Sequence, residues 1–266
     1  MSVLYPLPGP LGTVLQTIVD TSGETPSVFA VECLTRGPRG SKLEEALPLF
    51  DYIRRRGLET EMDCEIVGRA LRAAAGRAPF ITINVHPSTL ADHGKFVRCL
   101  LTQAQSAGVD PRQIIVEVGE YRPAKDQVAF AAALQELRAH GVLIAVDDVG
   151  YGHSNYKSIV DCRPDFLKID RFFVHGASTD KAKIAVVQSI LTLADFFNAR
   201  VIAEGVEEEE DFAALKQMGI DLFQGFLFSR PEAPEPRTED RGPRTVKGWG
   251  FLAAARRYRD RSSERV

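Results

Sequence analysis

The chain has 266 residues, of which 44% are hydrophobic and 26% are charged, and its formal net charge is −3. This balance is typical of a globular domain with a sizeable core, and it excludes a general electrostatic attraction to nucleic-acid polymers or membrane surfaces. The N-terminal stretch MSVLYPLPGPLG lacks the features of a secretory signal, and no apolar run approaches the roughly 18 residues of a membrane span. We therefore expect a cytoplasmic protein that contacts neither a membrane nor a nucleic-acid polymer.

Short runs rich in valine and isoleucine alternate with longer segments whose apolar residues recur at helical spacing. The candidate strands are 14–19, 28–34, 80–84, 113–118, 142–147, 165–169, 200–204 and 221–226. The candidate helices are 43–56, 61–76, 94–107, 124–140, 180–198 and 208–218. This alternation predicts a largely parallel sheet that is covered by helices.

The first two candidate strands depart from the alternation. They are joined by a linker containing TSGET, which is too short for a crossover helix, so residues 14–34 predict an antiparallel hairpin. Eight strands in one chain favour a closed barrel over an open, doubly wound sheet. We therefore expect an α/β fold in the form of an irregular closed barrel.

The four cysteines, Cys33, Cys64, Cys99 and Cys162, lie far apart in the sequence and include no CxxC pair. This spacing is evidence against both a zinc knuckle and a disulfide scaffold. We expect all of them to be reduced.

Unexpected polar residues stand at the ends of the candidate strands. In VLIAVDDVGYGHSNY, residues 142–156, an apolar run ends in two adjacent aspartates, whose ionised carboxylates are costly to bury without a cation. The carboxyl ends of parallel barrel strands open on one face, so we expect these side chains to form one site. They are Glu32, Asn84, Glu117, Asp147, Asp148, Lys168, Glu204 and Gln224.

The composition of this set indicates its chemistry. Five carboxylates and two carboxamides, without histidine or thiolate, favour Mg²⁺ or Mn²⁺ over zinc or copper. In a doubled aspartate, one carboxylate can bridge two cations that lie roughly 3.5 to 4 Å apart, an arrangement suited to in-line attack on a phosphodiester. Each residue alone also has a structural explanation, such as an Asx turn at the aspartates or a helix cap at Glu204.

These residues lie in motifs that resemble the EAL family of cyclic di-GMP phosphodiesterases, over roughly residues 13–232. LQTIVD resembles the family's Q-P-I-V strand, ECLTR its E-A-L-L-R motif, and INVHPSTL its I-N-x-S stretch. IIVEVGE resembles E-I-T-E, VDDVGYGHSN resembles D-D-F-G-T-G-Y-S-S, and FLKID resembles the strand that bears the family's lysine. VIAEGVE and QGFLFSRP match closely.

The resemblance implies a modified TIM-type (β/α)8 barrel with an antiparallel first strand, in agreement with the predicted hairpin. It divides the chain into an N-terminal extension (1–12), an EAL-type barrel domain (13–232) and a C-terminal tail (233–266). The tail is rich in proline and charge, and its segment FLAAARRYRDR is compatible with a short helix. The family resemblance also suggests a homodimer.

The resemblance further implies roles for single residues. Lys168 would orient or deprotonate the attacking water, aided by cations that lower its pKa, and Glu207 would hold the loop after the fifth strand. The implied reaction converts cyclic di-GMP to linear pGpG with two Mg²⁺ or Mn²⁺ ions. The implied ligands are Glu32, Asn84, Glu117 and Asp147 for one metal, and Asp147, Asp148 and Glu204 for the other. The implied catalytic residues are Glu32, Lys168, Glu204 and Glu207, and the implied substrate contacts are Gln16, Arg36 and Gln224.

Departures from the family pattern surround these matching residues. Cys33 and Gly119 replace an alanine and a threonine, and the loop after the doubled aspartate differs most, at Val149, Tyr151, His153, Asn155 and Tyr156. Changes around metal ligands can lower affinity or activity by about 10 to 100-fold. Two hypotheses therefore stay open: an active phosphodiesterase, or a catalytically weak or inactive cyclic di-GMP receptor or protein-interaction module. A third, a different metal phosphodiesterase on the same barrel, is disfavoured by the matches at Arg36 and Gln224.

Overall fold

A computed structural model of the chain describes residues 7–92, 94–119, 126–150 and 155–234. Within these ranges eight strands close into a barrel in chain order, β1 to β8, which confirms the predicted architecture. The strands are β1 (Gly12–Asp20), β2 (Ser27–Arg36), β3 (Phe80–Val85), β4 (Ile114–Val118), β5 (Leu143–Val149), β6 (Phe166–Ile169), β7 (Arg200–Ala203) and β8 (Leu222–Phe223). The last strand is shorter than predicted, and Gln224 follows it directly.

The first strand runs against the rest of the sheet. β1 pairs antiparallel with β2 on one side and with β8 on the other, whereas the remaining neighbours pair in parallel. The predicted hairpin is therefore confirmed, because the link at residues 21–26 is too short for a crossover helix.

Helices surround the barrel. They are α1 (Ala46–Arg55), α2 (Glu59–Ala74), α3 (Pro87–Leu90), α4 (Lys95–Ala107), α5 (Gln127–Ala139), α6 (Asn155–Cys162), α7 (Arg171–Val174), α8 (Lys181–Phe197) and α9 (Glu209–Gln217). The predicted helices are all present. The sequence did not predict α3, α6 and α7, because each is too short to show a helical period. No helix in the described ranges is long and apolar enough to cross a membrane.

The barrel interior is apolar at the amino-terminal end of the parallel strands. Phe29, Phe80 and Phe166 pack there, and the ring centroid of Phe29 lies 5.0 Å from that of Phe80 and 5.6 Å from that of Phe166. Side chains two residues apart on a strand point to the same side, so the next inward residue lies closer to the carboxyl end. Accordingly, Phe166 is followed two residues later by Lys168. The same step leads from Ile115 to Glu117, from Ala145 to Asp147, and from Ile202 to Glu204.

Candidate active site

The carboxyl ends of the strands bring four carboxylates around one lysine. The Nζ atom of Lys168 lies 2.6 Å from an oxygen of Glu117 and 2.6 Å from one of Glu204. Oxygens of Asp147 and Glu32 lie 3.3 Å and 3.5 Å from the same atom. The lysine side chain is only 1% exposed. The structure thus gathers acidic groups from separate strands, as the sequence predicted, at a buried point.

Carboxamides hold the first of these acids in place. Glu32 accepts a hydrogen bond of 2.9 Å from the Nδ2 atom of Asn84 and one of 2.6 Å from the Nε2 atom of Gln224. Gln224 also lies within hydrogen-bonding distance of Gln16, at 3.3 Å, and Gln16 donates to the backbone oxygen of Ser229. Burial would raise the pKa of Glu32, but the Lys168 charge and these hydrogen bonds lower it. Glu32 is therefore held in its charged form.

The cluster contains more negative charge than one ammonium group balances. Burial, together with the charge of Glu32, raises the pKa of Glu117 to about 8. Burial and the charge of Asp147 raise the pKa of Glu204. Burial lowers the pKa of Lys168, but the surrounding carboxylates outweigh it and place that pKa well above its ordinary value. The lowered lysine pKa expected from the sequence therefore requires cations; with the protein groups alone, Lys168 stays protonated.

A bulge turns the doubled aspartate toward the cluster. The register between β5 and β6 shifts between Val146 and Val149, and Asp148 lies in the left-handed region with φ of 54°. A bulge redirects side chains, and such backbone strain is concentrated at functional sites. As a result both aspartates approach one place: ligand atoms of Asp147, Asp148 and Glu204 all lie within 4.8 Å of one another.

The donor set fits a hard divalent cation. The Oε1 atom of Glu117 and the Oε1 atom of Gln224 are buried and have no hydrogen-bond partner within the described ranges. Buried oxygens normally have partners, so these atoms are available to a ligand. Apart from Lys168, the side chains gathered here offer carboxylate or carboxamide oxygens, which Mg²⁺ and Mn²⁺ prefer.

A cavity of about 570 Å³ opens beside the carboxylates. Arg36 lines it, and the Nη1 atom of that residue donates to the backbone oxygen of Thr35 at 3.0 Å. Leu47, Phe50 and Arg54 of α1 form part of its outer wall. Its volume is in the range of small-molecule sites, so it has room for a ligand next to the acidic cluster.

Glu207 lies outside the lysine cluster. Its carboxylate is 3.6 Å from the Nη2 atom of Arg171. The loop that carries it is held instead by backbone bonds, from the amide of Val206 to Gln224 and from the amide of Leu227 to Val206, at 3.0 and 3.1 Å. The predicted contact of Glu207 with the loop after β5 falls largely on residues 151–154, outside the described ranges.

Asp63 is a buried acid near the site that the sequence reasoning missed. It lies on α2, is 4% exposed, lines the cavity, and accepts a hydrogen bond of 3.2 Å from the amide of His86. Burial raises its pKa to about 7. His86 follows Asn84 by two residues, so Asp63 anchors the turn after β3. The sequence signal that could have revealed it is its spacing: Asp63 stands four residues before Val67 and therefore lies on the buried face of the helix.

The departures from the motif pattern are only partly visible. Cys33 is buried and its Sγ atom lies 3.7 Å from the backbone oxygen of Ala70, so the larger side chain is accommodated. Space is open around Gly119, where a Cβ atom would meet nothing within 4 Å. Tyr151 and His153, as well as the tail from residue 235 onward, lie outside the described residues.

Known proteins are similar to this chain in sequence and in fold. The family model "EAL domain" matches residues 9–231. The cyclic di-GMP phosphodiesterase PdeA of Borreliella burgdorferi is 29% identical over 191 residues, which cover 69% of this chain and 28% of that relative. The chain spans about a quarter of the length of the curated relatives it matches first.

Solved structures are similar to this chain as well. Klebsiella pneumoniae BlrP1 in a calcium and cyclic di-GMP complex superimposes with a TM-score of 0.75 at 31% identity, covering 89% of this chain and 59% of that one. A manganese and cyclic di-GMP complex of the same protein gives 0.73 at 33% identity, covering 86% and 57%.

Proposed function

The chain belongs to the EAL domain family, and from this premise we propose that it hydrolyses cyclic di-GMP to linear pGpG with two divalent cations, Mg²⁺ or Mn²⁺. The observation that carries the proposal is the ring of four carboxylates around the buried Lys168 ammonium, beside a cavity large enough for a nucleotide ligand. The complexes of similar structures with cyclic di-GMP support the choice of substrate.

We assign the cation ligands from the donor set. Glu32, Asn84, Glu117 and Asp147 would hold one cation, and Asp147, Asp148 and Glu204 the other. The partnerless oxygen of Glu117 and the closely spaced ligand atoms of the doubled aspartate support this assignment. Bound cations would supply Lewis-acid activation of water and would neutralise charge at the phosphodiester.

The chain's own residues would orient the reactants. Lys168, held by Glu117 and Glu204, keeps its ammonium group at the centre of the cluster, where it would hydrogen-bond the attacking water. Arg36 lines the cavity, and its guanidinium fork suits a phosphate. Gln224 would contact the substrate through its partnerless Oε1 atom while its amide nitrogen keeps Glu32 aligned.

Other roles in this assignment are more indirect. Gln16 would meet the substrate beside Gln224, and Glu207 would support the loop after β5. We take 13–232 as the unit that carries the activity, with 1–12 and 233–266 as its flanks. The cytoplasmic location and the homodimer stay predictions from the sequence.

The deciding experiment incubates the purified chain with cyclic di-GMP and either Mg²⁺ or Mn²⁺ and follows pGpG by chromatography. We expect product that requires the metal and that is lost in Glu32→Ala and in the isosteric Glu117→Gln. Glu65→Gln is the matched control, because Glu65 pairs with Arg69 on the exposed surface of α2. Full turnover in Glu32→Ala would contradict the proposal. Calorimetric binding of cyclic di-GMP without any product would instead assign the chain to the receptor class.

A further inference from the structure

Two neighbouring helices, α2 and α4, approach closely at a glycine. A Cβ atom at Gly68 of α2 would overlap with the carboxamide of Gln103 of α4, so the missing side chain permits the contact. One turn further along α2, the Nη1 atom of Arg72 donates to the Oε1 atom of Gln103 at 3.1 Å. Gln103 therefore marks the line along which the two helices touch.

Two cysteines meet one helical turn before this contact. Cys64 precedes Gly68 by four residues on α2, and Cys99 precedes Gln103 by four residues on α4. Both helices lead from the carboxyl end of one parallel strand toward the start of the next, so they run in the same direction. An equal step back along each helix therefore keeps the residues opposite one another. The two thiols thus face one another across the helix interface, although 64 and 99 are distant in the sequence, and each shifts the pKa of the other.

The two thiols differ in acidity and share access to solvent. The hydrogen bond from the Cys64 thiol lowers the pKa of Cys99 and raises that of Cys64. Both side chains are partly exposed, whereas Cys33 and Cys162 are buried. A thiolate is the nucleophilic form of cysteine, so Cys99 is suited to react first and Cys64 to react second.

We propose that Cys64 and Cys99 form a redox-active dithiol, a modification site at which a peroxide closes an intramolecular disulfide between α2 and α4. The Cys99 thiolate attacks a peroxide oxygen and breaks the O–O bond, which gives a sulfenic acid and, after protonation, one water when the oxidant is hydrogen peroxide. The sulfur of Cys64 then attacks the sulfenic sulfur of Cys99. The S–S bond forms as the S–O bond breaks, and the hydroxide leaves as a second water with the proton of the Cys64 thiol. The thiols lose two electrons in total, and the peroxide gains them.

The geometry suits this bond. A disulfide needs Cα atoms within about 7 Å, and the close approach of α2 and α4 at Gly68 favours such a spacing one helical turn away. Cys64 directly follows Asp63, which holds the turn after β3. The dithiol therefore adjoins the wall of the cavity without belonging to the carboxylate cluster, and its formation does not depend on the proposed hydrolysis.

The test treats the reduced full chain with equimolar hydrogen peroxide and counts free thiols over time, with peptide mapping under non-reducing conditions. We expect each chain to lose two of its four thiols without a disulfide to a second chain, with Cys64 and Cys99 in one cross-linked peptide that dithiothreitol separates. Loss of these two thiols should be about tenfold faster than loss from either buried cysteine. The reduced chain carried through the same incubation without peroxide is the control for air oxidation.

Serine variants separate the two roles. Cys64→Ser should leave a sulfenic acid on Cys99 that dimedone traps, whereas Cys99→Ser should abolish both the fast thiol loss and the cross-link. Circular dichroism of both variants in the reduced state checks that they fold. A cross-link between other cysteines, a disulfide between chains, or equal oxidation of all the thiols would overturn the proposal.

Discussion

The two ends of the barrel interior are built on the same strands and have opposite chemistry. At one end, the aromatic end, Phe29, Phe80 and Phe166 pack against one another. At the other, the carboxylate end, four acids surround Lys168, and buried oxygens of Glu117 and Gln224 have no partner among the described residues. A single step of two residues separates Phe166 from Lys168. Because apolar burial needs no partner whereas buried charge does, the aromatic end supplies stability and the carboxylate end creates the need for a ligand.

An ion pair lies beside the aromatic end, and its two opposite charges balance each other. Arg200 lies 3.0 Å from Asp20, and its guanidinium group is 5.1 Å from the ring centroid of Phe29. Burial would raise the pKa of Asp20, but hydrogen bonds from Ser22 and the charge of Arg200 lower it. The charges of Asp20 and Arg200 therefore balance one another, whereas the four carboxylates at the other end share the single positive charge of Lys168. Four predictions test this contrast.

The largest effect should follow from removing the central charge of the carboxylate end. In Lys168→Met we expect the proposed turnover to fall by about 10² to 10⁴-fold, the usual contribution of a group that assists proton transfer. Four carboxylates would also lose their shared cation, so Mn²⁺ should raise the Tm of the variant more than that of the wild type. Turnover at saturating Mn²⁺ and thermal unfolding with and without chelator measure both effects. Unchanged turnover would remove Lys168 from the mechanism.

A truncation at the aromatic end should affect stability instead of turnover. Phe29→Ala leaves a cavity between two rings, and we expect the free energy of unfolding to fall by about 3 to 5 kcal/mol. Turnover per folded molecule should stay near the wild-type value. Urea unfolding measures the loss, and Phe196→Ala, at a side chain that is 80% exposed, is the matched control. A large fall in turnover with little loss of stability would show that the two ends are not separable.

Near the carboxylate end, Asp63 of α2 should make stability depend on pH. Because burial raises the pKa of Asp63 from its ordinary 3.8 to about 7, the folded state keeps a proton that the unfolded state has lost between these values. Rising pH therefore lowers stability across this window, by up to about 4 kcal/mol. Asp63→Asn, which cannot titrate, should lack this component when denaturant unfolding is compared from pH 4 to 7. Parallel pH profiles for wild type and variant would contradict the assignment.

The smallest effect should come from the ion pair at the aromatic end, and its pH dependence should have the opposite sign. Arg200→Met leaves Asp20 without its guanidinium partner, and we expect a loss of about 1 to 2 kcal/mol at pH 7, since both groups retain some contact with solvent. The lowered pKa of Asp20 means that its contribution is present above pH 3.8 and is lost as pH falls through the folded-state pKa. The difference between the variant and the wild type should therefore shrink on acidification. A difference that grows in acid would refute this role.

Much of the fold and of the site could be predicted because both depend on local patterns. Alternating strand and helix segments, and a link at residues 21–26 that is too short for a crossover, determine a barrel with one antiparallel hairpin. Polar residues such as Glu117 and Asp147 at the ends of apolar runs predict a site on one face, since parallel strands all end there. The family motifs extend this prediction to the chemistry only at positions where the matching residue is present.

Other features required the folded chain. The short helices α3, α6 and α7 contain too few residues to show a period, and Asp63 is hidden in the pattern of an amphipathic helix. The pairing of Cys64 with Cys99 depends on how closely α2 and α4 approach. Gly68 permits this close approach, but a glycine in the sequence does not predict it. The barrel and the acids at its carboxyl end follow from the amino-acid pattern alone, because strand alternation is a local property. The folded chain was needed to see that a bulge brings Asp148 near Glu204, that one lysine meets four acids, and that two thiols distant in sequence face one another. These features depend on barrel closure and on packing between segments far apart in the chain.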